Sequence, residues 1–164
     1  MNTELINPPL PQLTFPRYDQ IPDIGLYLEQ VLSIVNDILA DISGEPITGA
    51  MINNWIKLKA LPAPVKKKYY REHICYLIAL GSLKQVFSVQ HIASFFAIQR
   101  ETYPLGIAYN FFCTELQNAV EEAFRFTGDA LPVVETKRTD QTILLRSMVL
   151  AVANRVYVEK CLGK

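Results

Sequence analysis

The chain reads as an all-α protein, a helical bundle that contains a short module with space for a small two-stranded wing. Three observations lead there. Half of the 164 residues are apolar, enough for one good core or two small ones sharing an interface. Apolar residues recur at helical spacing in successive segments separated by turn residues. No internal repeat, low-complexity tract or Gly-rich phosphate loop interrupts them.

Residues 1–22 carry Pro8, Pro9, Pro11, Pro16 and Pro22, which forbid a regular helix and favour an extended arm. Leu10, Leu13, Phe15, Tyr18 and Ile21 are interleaved with them, so the arm is expected to lie on the body. Asp23 is the candidate N-cap of a scaffold helix from Ile24 to about Ser43, with Leu28, Val31, Leu32, Val35, Ile38, Leu39 and Ile42 on one stripe and Gly44 as its stop. Thr48 caps a short helix that ends near Leu58, with Met51, Ile52, Trp55 and Ile56 on its apolar face. Pro62 and Pro64 then exclude a helix, and Lys59 to Tyr70 are read as a turn and a basic, aromatic-laced tongue.

A long helix is expected from about Arg71 to Val86, and Ser88 caps another from Val89 to Ile98. Pro104 suits the first turn of a helix that reaches Thr127 and stops at Gly128. A loop with Pro132 and Lys137-Arg138 leads to Thr139 and a last helix, roughly Asp140 to Leu162. That helix is apolar nearly all round, so it should be central or face another protomer. The organisation expected is an extended arm at 1–22, a helix plus compact module at 23–100, and a C-terminal helical pair at 101–164. The pair is assigned to dimerisation or to an effector, because Tyr103, Tyr109, Phe111, Phe112, Phe124 and Phe126 can either form an ordinary aromatic core or enclose a small apolar ligand.

The formal charge is zero, so an electrostatic partner must be met by a local patch. Between Thr48 and His73 six cations, Lys57, Lys59, Lys66, Lys67, Lys68 and Arg71, face Glu72 alone, a local net charge of +5. Asn53 and Asn54 lie on the polar side of the short helix, where an Asn amide can bond an adenine edge bidentately or simply be solvated. Lys66, Lys67 and Lys68 can grip phosphates or form a solvated charge run. Trp55 is in register with the apolar face and is assigned to the core. Of Tyr69 and Tyr70, one should pack the tongue down while the other reaches out.

Cys75, Cys113 and Cys161 are odd in number and lack metal-ligand spacing, so they read as small buried hydrophobes. His73 and His91 have no Asp, Cys or Ser at the spacing of a triad or metal site. No catalysis, cofactor or metal is expected. The start Met1-Asn2-Thr3-Glu4 has no secretory pattern and no window is apolar enough to span a bilayer, so a cytoplasmic setting without a membrane partner is expected.

Ile47-Thr48-x-x-Met51-Ile52-x-x-Trp55, then Leu61-Pro62-x-Pro64, a Lys-Tyr-Tyr tongue, a helix, and Phe87-Ser88-Val89-x-x-Ile92 together resemble the MerR-type winged helix-turn-helix. The run from Thr48 to Ile92 is closer still to an uncharacterised domain-of-unknown-function family from Firmicutes, number 1836, itself thought to be MerR-like. Asn53 stands where typical MerR proteins have an Arg, and Lys59 where they have a glycine before the wing. The metal-binding cysteines and the long C-terminal coiled coil of that group are absent, so nothing supports a metal sensor. The resemblance implies a transcriptional regulator; double-stranded DNA is the expected partner, and a homodimer is expected because the last helix is apolar on more than one face and a single winged module makes few contacts. Its contacts would come from Thr48, Gly49, Asn53, Asn54 and Lys57 on the helix, and from Lys59, Lys66, Lys67, Lys68, Tyr70 and Arg71 in and around the wing. The alternative is a helical adaptor whose basic tongue meets an acidic protein.

Overall fold

The computed structural model describes residues 9–125 and 139–161. Over them the chain is all-helical: α1 (Leu28–Leu39), α2 (Gly49–Lys57), α3 (Arg71–Leu83), α4 (Val89–Thr102), α5 (Leu105–Arg125) and α6 (Asp140–Cys161), with a short 3₁₀ turn at Tyr18–Gln20 before α1. No β-ladder forms among these residues, only two isolated antiparallel bridges, Leu26 with Tyr69 and Val65 with Lys68. No described helix is long and apolar enough to cross a membrane.

The central element is α3. Ile74, Cys75, Tyr76, Leu77, Ile78, Leu80, Gly81, Ser82 and Leu83 are all buried, so almost no side of this helix meets water. α6 is instead peripheral on one side: Leu145, Met148, Val149, Val152 and Val156 are buried while Ile143, Leu144 and Leu150 remain partly exposed. The even spread of apolar residues around α6 pointed to a central position or to a face against another protomer, and of these the central position is not taken by α6, because a helix is central only if neighbours surround it. Here those neighbours surround α3.

α1 runs close over α3. A methyl built on Gly81 would lie 2.3 Å from Leu39 Cδ1 and 2.9 Å from Ile47 Cδ1, so the missing side chain sets the distance between the two helices. α1 begins four residues later than expected, with Tyr27 as N-cap. Leu26 is already committed to the bridge with Tyr69, in which each N–H reaches the other's carbonyl at 2.8 Å, and the Gln30 side chain accepts from Tyr27 N at 2.9 Å. Asp23 therefore caps nothing in α1 and accepts from the amide of Arg71 at 3.4 Å. Thr48 does cap α2, its hydroxyl accepting from Met51 N at 3.3 Å, and Ser88 caps α4 through His91 N at 3.2 Å. α3 ends at Leu83 rather than Val86, and α4 continues past Ile98 to Thr102.

The Pro-rich arm does lie on the body from residue 9 onward. Tyr109 Oη donates to the Pro16 carbonyl at 2.7 Å, Gln117 Nε2 to the Leu13 carbonyl at 2.8 Å, and the Arg17 guanidinium to Gln117 Oε1 at 2.8 Å, all along α5. An arm without intrachain ladder bonds thus places its carbonyls on side-chain donors. α5 and α6 run side by side in the same direction. Tyr103 meets Thr139 before their first turns, Glu115 meets Arg146 in the middle, and Phe124 packs edge-on against Tyr157 near their ends.

Tyr109, Phe112 and Phe124 are core residues here, and Phe111 is half-buried beneath Arg146. Phe126, Gly128, Pro132, Lys137-Arg138 and Leu162 lie outside the described residues. The cavity between Tyr76, Phe96, Tyr109 and Phe112 measures about 30 Å³. That is space for about one water. The aromatic set is therefore a packed core, too full to enclose the small apolar ligand that the sequence left open. Burial pushes the Cys75 thiol up to about 12 and the Cys113 thiol up to about 11, so both stay protonated and act as the small hydrophobes expected.

Gly81→Ala tests the α1–α3 contact. Helix propensity alone favours Ala by up to about 1 kcal/mol, but the methyl must displace end groups of two buried side chains in a filled core, which costs about 1–3 kcal/mol. The expected outcome is net destabilisation, read as a lower midpoint in thermal unfolding followed by circular dichroism. A midpoint at or above that of the wild type would refute it.

Candidate functional site

The basic tongue resolves into a tight turn with an unusual backbone. Val65 N donates to the Lys68 carbonyl at 2.9 Å and Lys68 N to the Val65 carbonyl at 3.0 Å, which closes a two-residue loop over Lys66 and Lys67. Both loop residues have positive φ, 49° and 65°. That is the type I′ class, whose two central positions favour Asn-Gly. Lysine has no side-chain group that offsets the left-handed conformation, so each one stores roughly 1–3 kcal/mol. Both ammonium-bearing chains are exposed.

A third lysine behaves alike. Lys59 has φ of 59° and occupies the left-handed position that ends α2. Lys59 N reaches the Ile56 carbonyl at 3.1 Å and Ala60 N the Trp55 carbonyl at 2.9 Å, the bond pair of a Schellman motif. The glycine preferred at such a site is absent, and the three non-glycine residues of positive φ among the described residues are all lysines.

Several contacts hold the turn against the body. Tyr69 is buried and bridges to Leu26. His73, 3% exposed, accepts from Tyr70 N through Nδ1 at 2.9 Å, so its proton sits on Nε2, which donates to the Ala63 carbonyl at 3.0 Å. One neutral imidazole thus ties both ends of the tongue to the start of α3. Spacing marked this histidine as non-catalytic, but its clamping role needed the fold.

Lys68 lies across a gap left by Gly25, where a methyl would come within 2.7 Å of its Cδ and 3.1 Å of the Tyr70 hydroxyl. Its ammonium sits 5.5 Å from the ring centroid of Tyr27. Tyr27 is 59% exposed, beside Ile24 at 57% and Val65 at 56%. Sequence reading missed Tyr27, because it falls in what looked like the first turn of a scaffold helix. An exposed aromatic next to a basic tongue becomes visible only once residues 24–27 are laid against 65–70.

α2 meets the same region. A methyl on Gly49 would lie 3.2 Å from Leu28 Cδ2, so the start of α2 abuts the start of α1, next to Tyr27 and Lys68. Ile52 and Trp55 are buried beneath α2, while Thr48, Asn53, Asn54 and Lys57 are exposed on it. The structure therefore brings the first turn of α2 and the lysine turn to one end of α1.

Two expected residues are placed otherwise. The Arg71 guanidinium donates from Nε to the Ile21 carbonyl at 2.6 Å and lies 4.9 Å from the Tyr18 ring centroid, fastening the arm. Lys59 stands at the far end of α2, over a shallow cleft floored by Ile56, Leu61 and Pro62 and shared with Arg100. Tyr70 is half-buried, so of the tyrosine pair Tyr69 packs down and Tyr70 keeps a wet edge. Among the described residues no three His, Cys, Asp or Glu side chains gather as a metal site.

No curated protein and no solved structure matches the chain. A family does match, over residues 16–112, from the arm where Tyr109 holds the Pro16 carbonyl, through the lysine turn and the buried α3, into α5. The chain belongs to the family described as a domain of unknown function, DUF1836.

Proposed function

We propose that the protein binds double-stranded DNA as a transcriptional regulator of MerR-like winged helix-turn-helix type, with the lysine turn as the wing and the exposed face of α2 as the recognition surface. The carrying observation is the pair Lys66-Lys67 held at positive φ on an exposed tip. Stability alone favours Asn-Gly there, and solubility does not require two cations on a strained turn. A need for positive charge at that point accounts for both. Phosphate oxygens answer it, since lysine acts on them as a point charge without demanding a fixed fork geometry.

Asn53 and Asn54 lie on the water-facing side of a short capped helix whose start adjoins the turn, and an Asn amide can read adenine in the major groove. Lys57 and the capping Thr48 add backbone contacts. A second reading, a helical adaptor for an acidic protein, draws on the exposed apolar side chains of Ile24 and Val65 beside the lysines. Duplex DNA offers them less than a protein surface would.

Replacing Lys66-Lys67 by Asn-Gly separates charge from fold. The double variant should melt higher, by about 2–4 °C for each kcal/mol of strain relieved, and bind duplex DNA more weakly whatever its sequence. The slope of log affinity against log salt should shrink by about 2, since each phosphate that a lysine no longer neutralises removes about 0.9. Fluorescence titration at several salt concentrations measures both. Unchanged affinity and slope in the stabilised variant would turn the reading toward the adaptor.

Asn53→Ala and Asn54→Ala address base reading separately. One of them should cost roughly 1–3 kcal/mol on a selected site while leaving scrambled DNA bound as before. Equal losses on both duplexes would assign the pair to backbone contacts.

A further inference from the structure

The three lysines of the tongue are not held alike. Lys66 and Lys67 are exposed at the tip, while Lys68 is half-buried and its stem is seated against the body. The seat exists because residue 25 is glycine: a methyl there would lie 2.7 Å from Lys68 Cδ, 3.2 Å from Lys68 Cβ and 3.1 Å from the Tyr70 hydroxyl. The stem thus runs over Gly25 beside Tyr70, and carries the ammonium to 5.5 Å from the centroid of the Tyr27 ring. Such a contact attracts the ammonium without neutralising it. No carboxylate takes up the charge, since no ion pair among the described residues includes Lys68. Fixing a lysine stem costs rotamer entropy. The turn does not need that cost, because the paired backbone bonds between Val65 and Lys68 already close the loop.

We propose that Tyr27 and Lys68 form one phosphate clamp, in which the ring and the Gly25 seat aim the ammonium at a single phosphodiester of duplex DNA. The inference rests on the DNA-binding reading above, and adds to it a role for Tyr27 and a division of labour among the lysines. Lys66 and Lys67 supply mobile charge to whichever phosphates pass the tip. Lys68 is a held cation, and a held phosphate contact fixes register as well as affinity. Tyr27 acts through it as a positioning residue. The place of the clamp gives that register its meaning: Tyr27 is the N-cap of α1, and the first turn of α2 abuts Leu28, the next residue. A phosphate held at this corner sets how far along the groove the Asn53 and Asn54 face of α2 stands. The backbone of a duplex also offers further phosphates at regular spacing, which match the second group of cations at the tip.

Fluorescence titration of the full chain on duplex DNA at several salt concentrations, with thermal unfolding alongside, tests the clamp. Lys68→Met should lower the slope of log affinity against log salt by about 0.9. Tyr27→Leu keeps every charge and should weaken binding roughly three- to tenfold on any duplex, with the melting midpoint of the wild type. Tyr27→Phe, which keeps the ring, should retain most of the affinity. Gly25→Ala leaves lysine and ring in place but fills the seat, and should weaken binding as Tyr27→Leu does. In the Lys68→Met background both changes should add almost nothing. A ring that only steadied the turn would instead lower the midpoint and leave the affinity of the folded protein alone. Should Gly25→Ala unfold the chain, the cycle of Tyr27→Leu with Lys68→Met decides by itself. Wild-type affinity in Tyr27→Leu, or a loss that adds in full to that of Lys68→Met, overturns the clamp while DNA binding stands. A wild-type chain that binds no duplex overturns both.

Discussion

Among the described residues, α1, α4, α5 and α6 close around α3 and keep it out of water. From His73 to Leu83 the helix has almost no solvent-facing side, and each neighbour covers part of it. α1 comes down over Gly81, α5 and α6 cover another side, and Tyr76 packs against Phe96 of α4 with ring centroids 5.0 Å apart. A helix apolar on all sides cannot sit at a surface, so its burial forces the other elements to close around it. Its first turn is the fixed point for the tongue, because His73 is held in the core yet bonds both Tyr70 and Ala63.

That anchoring explains how an exposed turn keeps a costly backbone. Positive φ at Lys66 and Lys67 persists only where surrounding bonds over-determine the conformation. Here the paired Val65–Lys68 bonds close the loop, the reciprocal Leu26–Tyr69 bonds hold its base, and His73 secures the strand of chain leading in. Strain at the tip is offset by apolar burial at the root, where Tyr69 and Leu26 join the core. The end of α2 repeats the arrangement at Lys59, whose left-handed backbone is stabilised by two Schellman bonds above the buried Trp55 and Ala60.

The arm links the lysine turn to the C-terminal half. Arg71, one residue beyond the tongue, is clasped by Ile21 and Tyr18, while Arg17, Pro16 and Leu13 are held by Asn110, Gln117 and Tyr109 of α5. A chain of direct bonds thus runs from the tongue through the arm to the helix pair. The family match starts within this arm, at residue 16.

The sequence by itself determined where the helices are. Period 3.6 in apolar residues, Thr48 and Ser88 as caps, and prolines at the breaks are local signals, and α2, α4 and α6 begin where those signals place them. It also determined the concentration of cations between Lys57 and Arg71. Tertiary structure decided what local signals cannot carry. Asp23 lost its helix because the neighbouring backbone bonds to Tyr69, a residue more than forty positions away. The central position went to α3 and not to α6, since centrality depends on how many neighbours a helix acquires. Arg71 became a clasp and Tyr27 joined the lysine turn because two distant segments meet there. The left-handed lysines were illegible for the opposite reason: local preference argues against them, and only long-range packing can hold a backbone against its own preference.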